Sequence, residues 1–149
     1  MTAPSPTRSH ASAGLAGSAP DGSLQLQVCA ACGKAQYPPR ERCGDCLAGT
    51  LRWQPVAGGA TVLASTALAH SLEPWYAARA PWIVASLRLD AGPVAFAHAR
   101  ECDARAGQRV RVATAADASG AWCLVALPDD GTDASHALHA CLQELGIST

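Results

Sequence analysis

Four cysteines in two C-x-x-C pairs, Cys29-Ala-Ala-Cys32 and Cys43-Gly-Asp-Cys46, carry the chemistry that is easiest to read in this chain. Ten residues separate the pairs. A two-residue gap lets a tight turn aim both sulfurs at one point with backbone N–H groups turned toward them. Two such turns supply the four thiolates of one tetrahedral metal ion. Zinc accepts four sulfurs and leaves no coordination position open, which describes a structural site and not a catalytic one. On ligand type alone iron in an S₄ site is the rival, and two disulfides or four unrelated thiols are the bland alternatives. The doubled pair favours the metal. Gly33, just after the first pair, and Gly44, inside the second, stand where such knuckles call for a positive φ.

Other reactive side chains are scattered. Cys102, Cys123 and Cys141 fall on a loop, an apolar strand and a helix face, where each reads as a small core hydrophobe. His136 and His139 share a helix flank without an acidic partner and read as a solvated face. There is no P-loop and no G-x-G-x-x-G. A stand-alone enzyme finds no nucleophile–base pair here. Trp75, Tyr76 and Trp82 gather around a proline-bracketed segment. They either cover the open end of the fold or form the wall of a ligand or partner site.

The elements that must position these groups follow from the pattern. Residues 1–22 are rich in Ala, Ser, Pro, Thr and Gly without periodicity and read as a disordered tail. Residues 23–57 form the ribbon, with a strand leading into the first knuckle, a Tyr37-Pro38-Pro39-Arg40 turn, and a strand over 50–56 whose Trp53 is available to cover the metal. Residues 58–128 carry five strands: 60–70, with Val62, Ala64, Thr66 and Leu68 on one face; 82–89, with Arg88 opposite its apolar face; 94–99; 109–113; and 121–127. Five strands in so short a span predict a closed barrel of the OB type. Residues 129–149 form a helical extension, with Leu138, Cys141, Leu142 and Leu145 on one stripe over 133–145, Asp133 as N-cap and Gly146 at the end. The predicted class is mainly β: a rubredoxin-like zinc ribbon, a five-stranded OB-fold barrel and a C-terminal helix.

Charge narrows the partners. The chain has 149 residues and a net charge of -1, which is no footprint for nucleic acid. Between Cys29 and Trp53, Lys34, Arg40, Arg42 and Arg52 outnumber Glu41 and Asp45. Four thiolates around Zn²⁺ restore neutrality to the ribbon. No apolar run reaches the length of a membrane helix, the start has no apolar secretory core, and free thiols suit a reducing cytoplasm.

The string Gln27-Val28-Cys29-Ala30-Ala31-Cys32-Gly33 … Tyr37-Pro38-Pro39-Arg40 … Cys43-Gly44-Asp45-Cys46 resembles the zinc-ribbon/OB-fold proteins associated with thiolase-type acyl-CoA enzymes, formerly a domain of unknown function. The resemblance runs through Trp53, Gly58, Thr61, Val62, Thr66, Pro81, the strand 83–89, Cys102-Asp103 and Gly107-Gln108-Arg109-Val110. It covers about residues 24–127. It implies a non-catalytic subunit of a hetero-oligomer that docks on a thiolase-fold partner and helps bind or channel a bulky acyl-CoA thioester, of the kind met in aromatic or sterol degradation. It implies structural zinc on Cys29, Cys32, Cys43 and Cys46. It makes Trp75, Tyr76, Arg79, Trp82 and Arg88 candidate contacts, with Arg79, Arg88 and Arg100 facing the phosphates of coenzyme A. The alternative is a nucleic-acid-binding module, since zinc ribbons and OB-folds recur there too. His98 and the helical C-terminus depart from the family pattern.

Overall fold

A computed structural model describes Leu15, residues 23–116 and residues 122–146. The tail expected over residues 1–22 lies outside the described residues except for Leu15, which is buried and packs with the main core.

Three short strands make the ribbon sheet: β1 (Gln25–Cys29), β2 (Ala35–Gln36) and β3 (Leu51–Pro55), in the order β2-β1-β3 and antiparallel throughout. β1 lies where the alternation of Leu24 and Leu26 predicts it. β2 is only two residues long and leaves no periodic signal in the sequence.

Five strands then close a barrel: β4 (Gly59–Leu68), β5 (Trp82–Leu89), β6 (Val94–His98), β7 (Arg109–Ala116) and β8 (Trp122–Pro128). Their order around the barrel is β4-β5-β6-β8-β7, with β6 and β8 the parallel neighbours. Inward side chains are apolar, alanines interleaved with valines and leucines, among them Val62, Ala85, Leu87, Ala95, Ala97, Val110, Val112 and Leu124. Gly58 lets two backbones meet: its carbonyl accepts from the Val112 N–H at 2.7 Å, and a Cβ there would stand 2.9 Å from the Val112 oxygen.

One strand departs from the alternation. A β-bulge between Val62 and Ala64 shifts the register of β4 against β5. The sequence pattern put Val62, Ala64, Thr66 and Leu68 on one face. The extra residue instead leaves Val62 in the core and turns Ala64, Thr66 and Leu68 outward.

The helix α2 (Ala134–Glu144) is capped by Asp133, whose carboxylate accepts from the His136 N–H at 3.0 Å. It packs its stripe on this chain's own barrel. Ala137, Cys141, Leu138, Leu142 and Leu145 cover the outer side of β7 and β8 at Ala113, Ala115, Val125 and Leu127. This explains the unbroken apolar run of β8, which is buried on both sides. Between β4 and β5, a one-turn helix α1 (Pro74–Ala77) carries Trp75 and Tyr76. Among the described residues no helix is long and apolar enough to cross a membrane.

Candidate metal centre

Two matching knuckles bring the four sulfurs together. In the first, the Gly33 N–H donates to the Cys29 carbonyl at 2.8 Å, and the Cys29 N–H donates to the Lys34 carbonyl at 3.0 Å. In the second, the Leu47 N–H donates to the Cys43 carbonyl at 3.1 Å, and the Cys43 N–H donates to the Ala48 carbonyl at 2.9 Å. Each turn is therefore closed by the residue after its second cysteine, which takes a positive φ: 74° at Gly33 and 61° at Leu47. The expectation at Gly33 holds. At Gly44 it does not, because the left-handed position of a knuckle follows the C-x-x-C pair and here falls on a leucine.

All four Sγ atoms lie within 4.8 Å of one another. Cys29 and Cys46 stand 3.6 Å apart, and Cys32 and Cys43 3.7 Å. Four sulfurs at about 2.3 Å from a tetrahedral zinc are about 3.8 Å apart, whereas a disulfide needs about 2.05 Å. The donor set and its spacing fit the metal. Cys29 and Cys43 are buried, while Cys32 and Cys46 face outward.

Backbone amides prepare the sulfurs for negative charge. The Cys32 and Ala31 N–H groups hold the Cys29 thiol down to about 6. Those of Cys46 and Asp45 lower Cys43, with the Asp45 nitrogen 3.4 Å from its sulfur. At Cys32 the Lys34 N–H pulls down, but burial and the neighbouring Cys46, Cys43 and Cys29 outweigh it and push the thiol up to about 12. Without metal, four crowded sulfurs cannot all ionise, and a divalent cation removes that conflict.

A glutamine relay, silent in the sequence, ties the turns together. Gln27 is 6% exposed. Its Oε1 accepts from the Arg40 N–H at 2.7 Å and from Gln36 Nε2 at 3.1 Å. Gln36 Oε1 accepts in turn from the Gly44 N–H at 3.1 Å. The proline turn and the second knuckle are thus positioned from β1. Trp53, opposite Gln27 in the ladder, packs against the main core.

The remaining candidates divide. Trp75 and Trp82 are buried and stacked with centroids 6.0 Å apart, and Trp82 Nε1 donates to the Tyr76 carbonyl at 2.8 Å. Tyr76 is half-buried edge-on to both, and the cluster rests on Cys123, Leu142 and Leu145. Arg79 is exposed, lies 4.1 Å over the Trp75 ring and donates to the Trp75 carbonyl at 3.0 Å. Arg88 is exposed six residues from Trp82 along β5, roughly 20 Å at 3.3 Å per residue. The structure brings Arg79 to the aromatic cluster and sets Arg88 apart from it. Arg100 is held by Asp103 at 2.7 Å and Glu144 at 3.3 Å. Cys141 is fully buried, and burial pushes its thiol up to about 12, as suits a core residue. Cys102 differs from that expectation: it is exposed on a 3₁₀ turn, Glu101–Asp103. His136 and His139 face solvent.

Two family models match in tandem. The ChsH2 rubredoxin-like zinc ribbon domain covers residues 17–52, and the ChsH2 C-terminal OB-fold domain covers residues 53–115. The chain belongs to the ChsH2 zinc-ribbon/OB-fold family. A solved structure described as an Ltp2-ChsH2(DUF35) aldolase is similar to it, with a TM-score of 0.67 and 21% identity over 83% of this chain and 98% of that one. No curated protein matches the sequence. The zinc ribbon and the OB-fold expected from the sequence are present, and the four cysteines converge in a cluster that could hold a metal ion.

Proposed function

We propose that this chain is a non-catalytic subunit of a thiolase-type acyl-CoA enzyme complex, docking on the enzyme and helping to hold or channel a bulky acyl-CoA thioester. The carrying observation is the closed four-sulfur site on a ribbon whose β1 shares a core with the barrel. Such a site builds a rigid surface and performs no reaction, which suits an accessory part. Family membership supports the reading, and so does the fold shared with a ChsH2 that was solved with Ltp2. Zinc is held by Cys29, Cys32, Cys43 and Cys46. The thioester lies against Tyr76 and Arg79, with Trp75 and Trp82 as the floor beneath them and Arg88 a more distant phosphate contact. The complex works in the reducing cytoplasm, where the thiols keep their metal.

Mild affinity purification from the native cell, followed by mass spectrometry, is the test. A thiolase-fold enzyme at fixed stoichiometry, whose kcat/KM rises when the purified chain is added back, is the expected result. Nucleic acid retained instead, and lost steeply with salt, overturns the reading in favour of a binding module. For the ligand, unchanged coenzyme A affinity after Arg79→Ala and Arg88→Ala removes those two contacts.

A further inference from the structure

Strand β6 is built inside out. Its inward residues are the alanines Ala95 and Ala97, both buried, while its outward residues include Val94 and Phe96, 37% and 62% exposed. Phe96 is the single phenylalanine of the chain. A strand that faces water on one side carries polar residues there. This one puts its largest apolar side chain outside and its smallest inside.

Neighbouring strands continue the surface. Ser86 of β5 pairs with Phe96, and Val84 with His98. The bulge in β4 turns Ala64, Thr66 and Leu68 to the same side. Together Ala64, Thr66, Leu68, Val84, Ser86 and Phe96 line an open groove of about 410 Å³ without a charged residue. Arg88 stands one outward position beyond Ser86, and His98 flanks the groove opposite Val84. The chain covers the outer side of β7 and β8 with its own helix α2, where the barrel residues are Ala113, Ala115, Val125 and Leu127. Among the described residues no helix or loop covers the outer side of β4–β6, which carries the larger Phe96 and Leu68, 62% and 47% exposed.

We propose that this face, centred on Phe96, is where the partner enzyme subunit docks, meeting it with an apolar, uncharged surface of its own. The inference rests on the function proposed above and gives it an address. Three strands 4.8 Å apart over five residues present roughly 250 Å², while a stable interface takes about 800 Å² from each partner. A second copy using this face alone falls short of that area. A larger enzyme subunit can centre on Phe96 and continue over the adjoining barrel and ribbon. An exposed aromatic in the middle of an apolar face is the usual form of an interface anchor. A small ligand is a poor occupant, because its sites bury most of the molecule and this groove is open.

The test takes the thiolase-type subunit recovered as above and the full-length, zinc-loaded chain. Phe96→Asp keeps its fold and zinc content, since the side chain is mostly exposed, and binds the enzyme roughly 30-fold or more weakly. Ser135→Asp, on the exposed side of α2, binds as wild type does. Hydrogen exchange on the wild-type complex slows across 64–68, 84–86 and 94–98. Wild-type affinity in Phe96→Asp, or no slowing at those strands, overturns the docking face and leaves the subunit reading standing. Failure of the wild-type chain to bind any thiolase-type subunit overturns both. A wild-type homodimer that Phe96→Asp dissociates assigns the face to a second copy and overturns the proposal.

Discussion

Leu47 closes the second knuckle at φ 61°, where its twin in the first knuckle is Gly33 at 74°. A side chain in this left-handed region costs about 1–2 kcal/mol through the clash of Cβ with the following carbonyl. Leu47→Gly removes that cost. Against it stands the extra freedom glycine gives the unfolded chain, about 0.5–1 kcal/mol. Leu47 is 69% exposed, so little apolar burial is forfeited. The balance is a gain of about 0.5–1 kcal/mol in the folded ribbon. Metal binding and ribbon folding are one equilibrium, so the gain reads as roughly 2- to 5-fold tighter zinc. Gly33→Leu inverts the experiment: a Cβ there meets nothing within 4 Å, leaving only the backbone cost and a comparable weakening. Leu47→Ala separates causes, because alanine keeps the Cβ and gains nothing. Competition against a chromophoric chelator at fixed pH measures all three. Zinc affinity unchanged or lowered in Leu47→Gly would refute the assignment of strain to this position.

Four further outcomes follow from the same structure. Gln27→Leu leaves the Arg40 N–H and the Gln36 amide without their buried acceptor, and chemical denaturation should show a loss of about 1–3 kcal/mol; an unchanged midpoint would remove the relay. Timed alkylation read by mass spectrometry should label Cys102 at once, leave Cys141 untouched in the folded chain, and label the ribbon cysteines quickly only after a chelator is added. Arg109 donates two hydrogen bonds to Asp90 at 2.8 and 2.7 Å and holds that carboxyl below its ordinary 3.8. A lowered carboxylate stabilises the fold above about pH 4 and loses that contribution as pH falls through the lowered value. Melting temperatures of Arg109→Leu and wild type should therefore converge on acidification, and a constant gap refutes the linkage. Finally, zinc removal should abolish exchange protection at 29–33 and 43–48 and also lower the melting temperature of the barrel; a barrel that melts unchanged would make the two parts independent.

Much of this fold is legible because its signals are local. C-x-x-C spacing names the knuckles, the turn at Asp90–Pro93 separates β5 from β6, and the stripe from Leu138 to Leu145 places α2. What escapes the sequence is what depends on partners far along the chain. The bulge after Val62 turns three residues around without changing the alternation that predicts their face. Leu47 occupies a left-handed position that composition assigns to Gly44, since the knuckle geometry and not the residue type decides where φ turns positive. Gln27 reads as one polar member of an alternating strand until Gln36 and the Arg40 amide are seen beside it. The α2 stripe likewise does not name its own partner surface, which proves to be the outer residues of β7 and β8. The signal at Phe96 is local as well: Val94-Ala95-Phe96-Ala97 alternates large with small, and in the fold the large set faces out.

The ribbon and the barrel are separable as motifs and continuous as a packed object. Leu24 and Leu26, on and beside the ribbon strand β1, are each 1% exposed and belong to the same cluster as Val62, Leu87, Leu89 and Val110 of the barrel. The Val56 N–H donates to the Leu24 carbonyl at 3.0 Å, so the chain leaves the ribbon sheet already tied to it. Burying two leucines is worth roughly 3–6 kcal/mol, a large part of the 5–15 kcal/mol that holds a whole domain. A metal site that organises β1 through Cys29 therefore acts on the barrel core as well as on its own loops. Barrel strands lined with alanine have little apolar bulk to spare, and the leucines carried in by the ribbon help to supply it. The metal is then part of what holds the outer face of β4–β6 in shape, although it lies in a different motif. On that argument a chelator weakens partner binding without touching a single residue of the face.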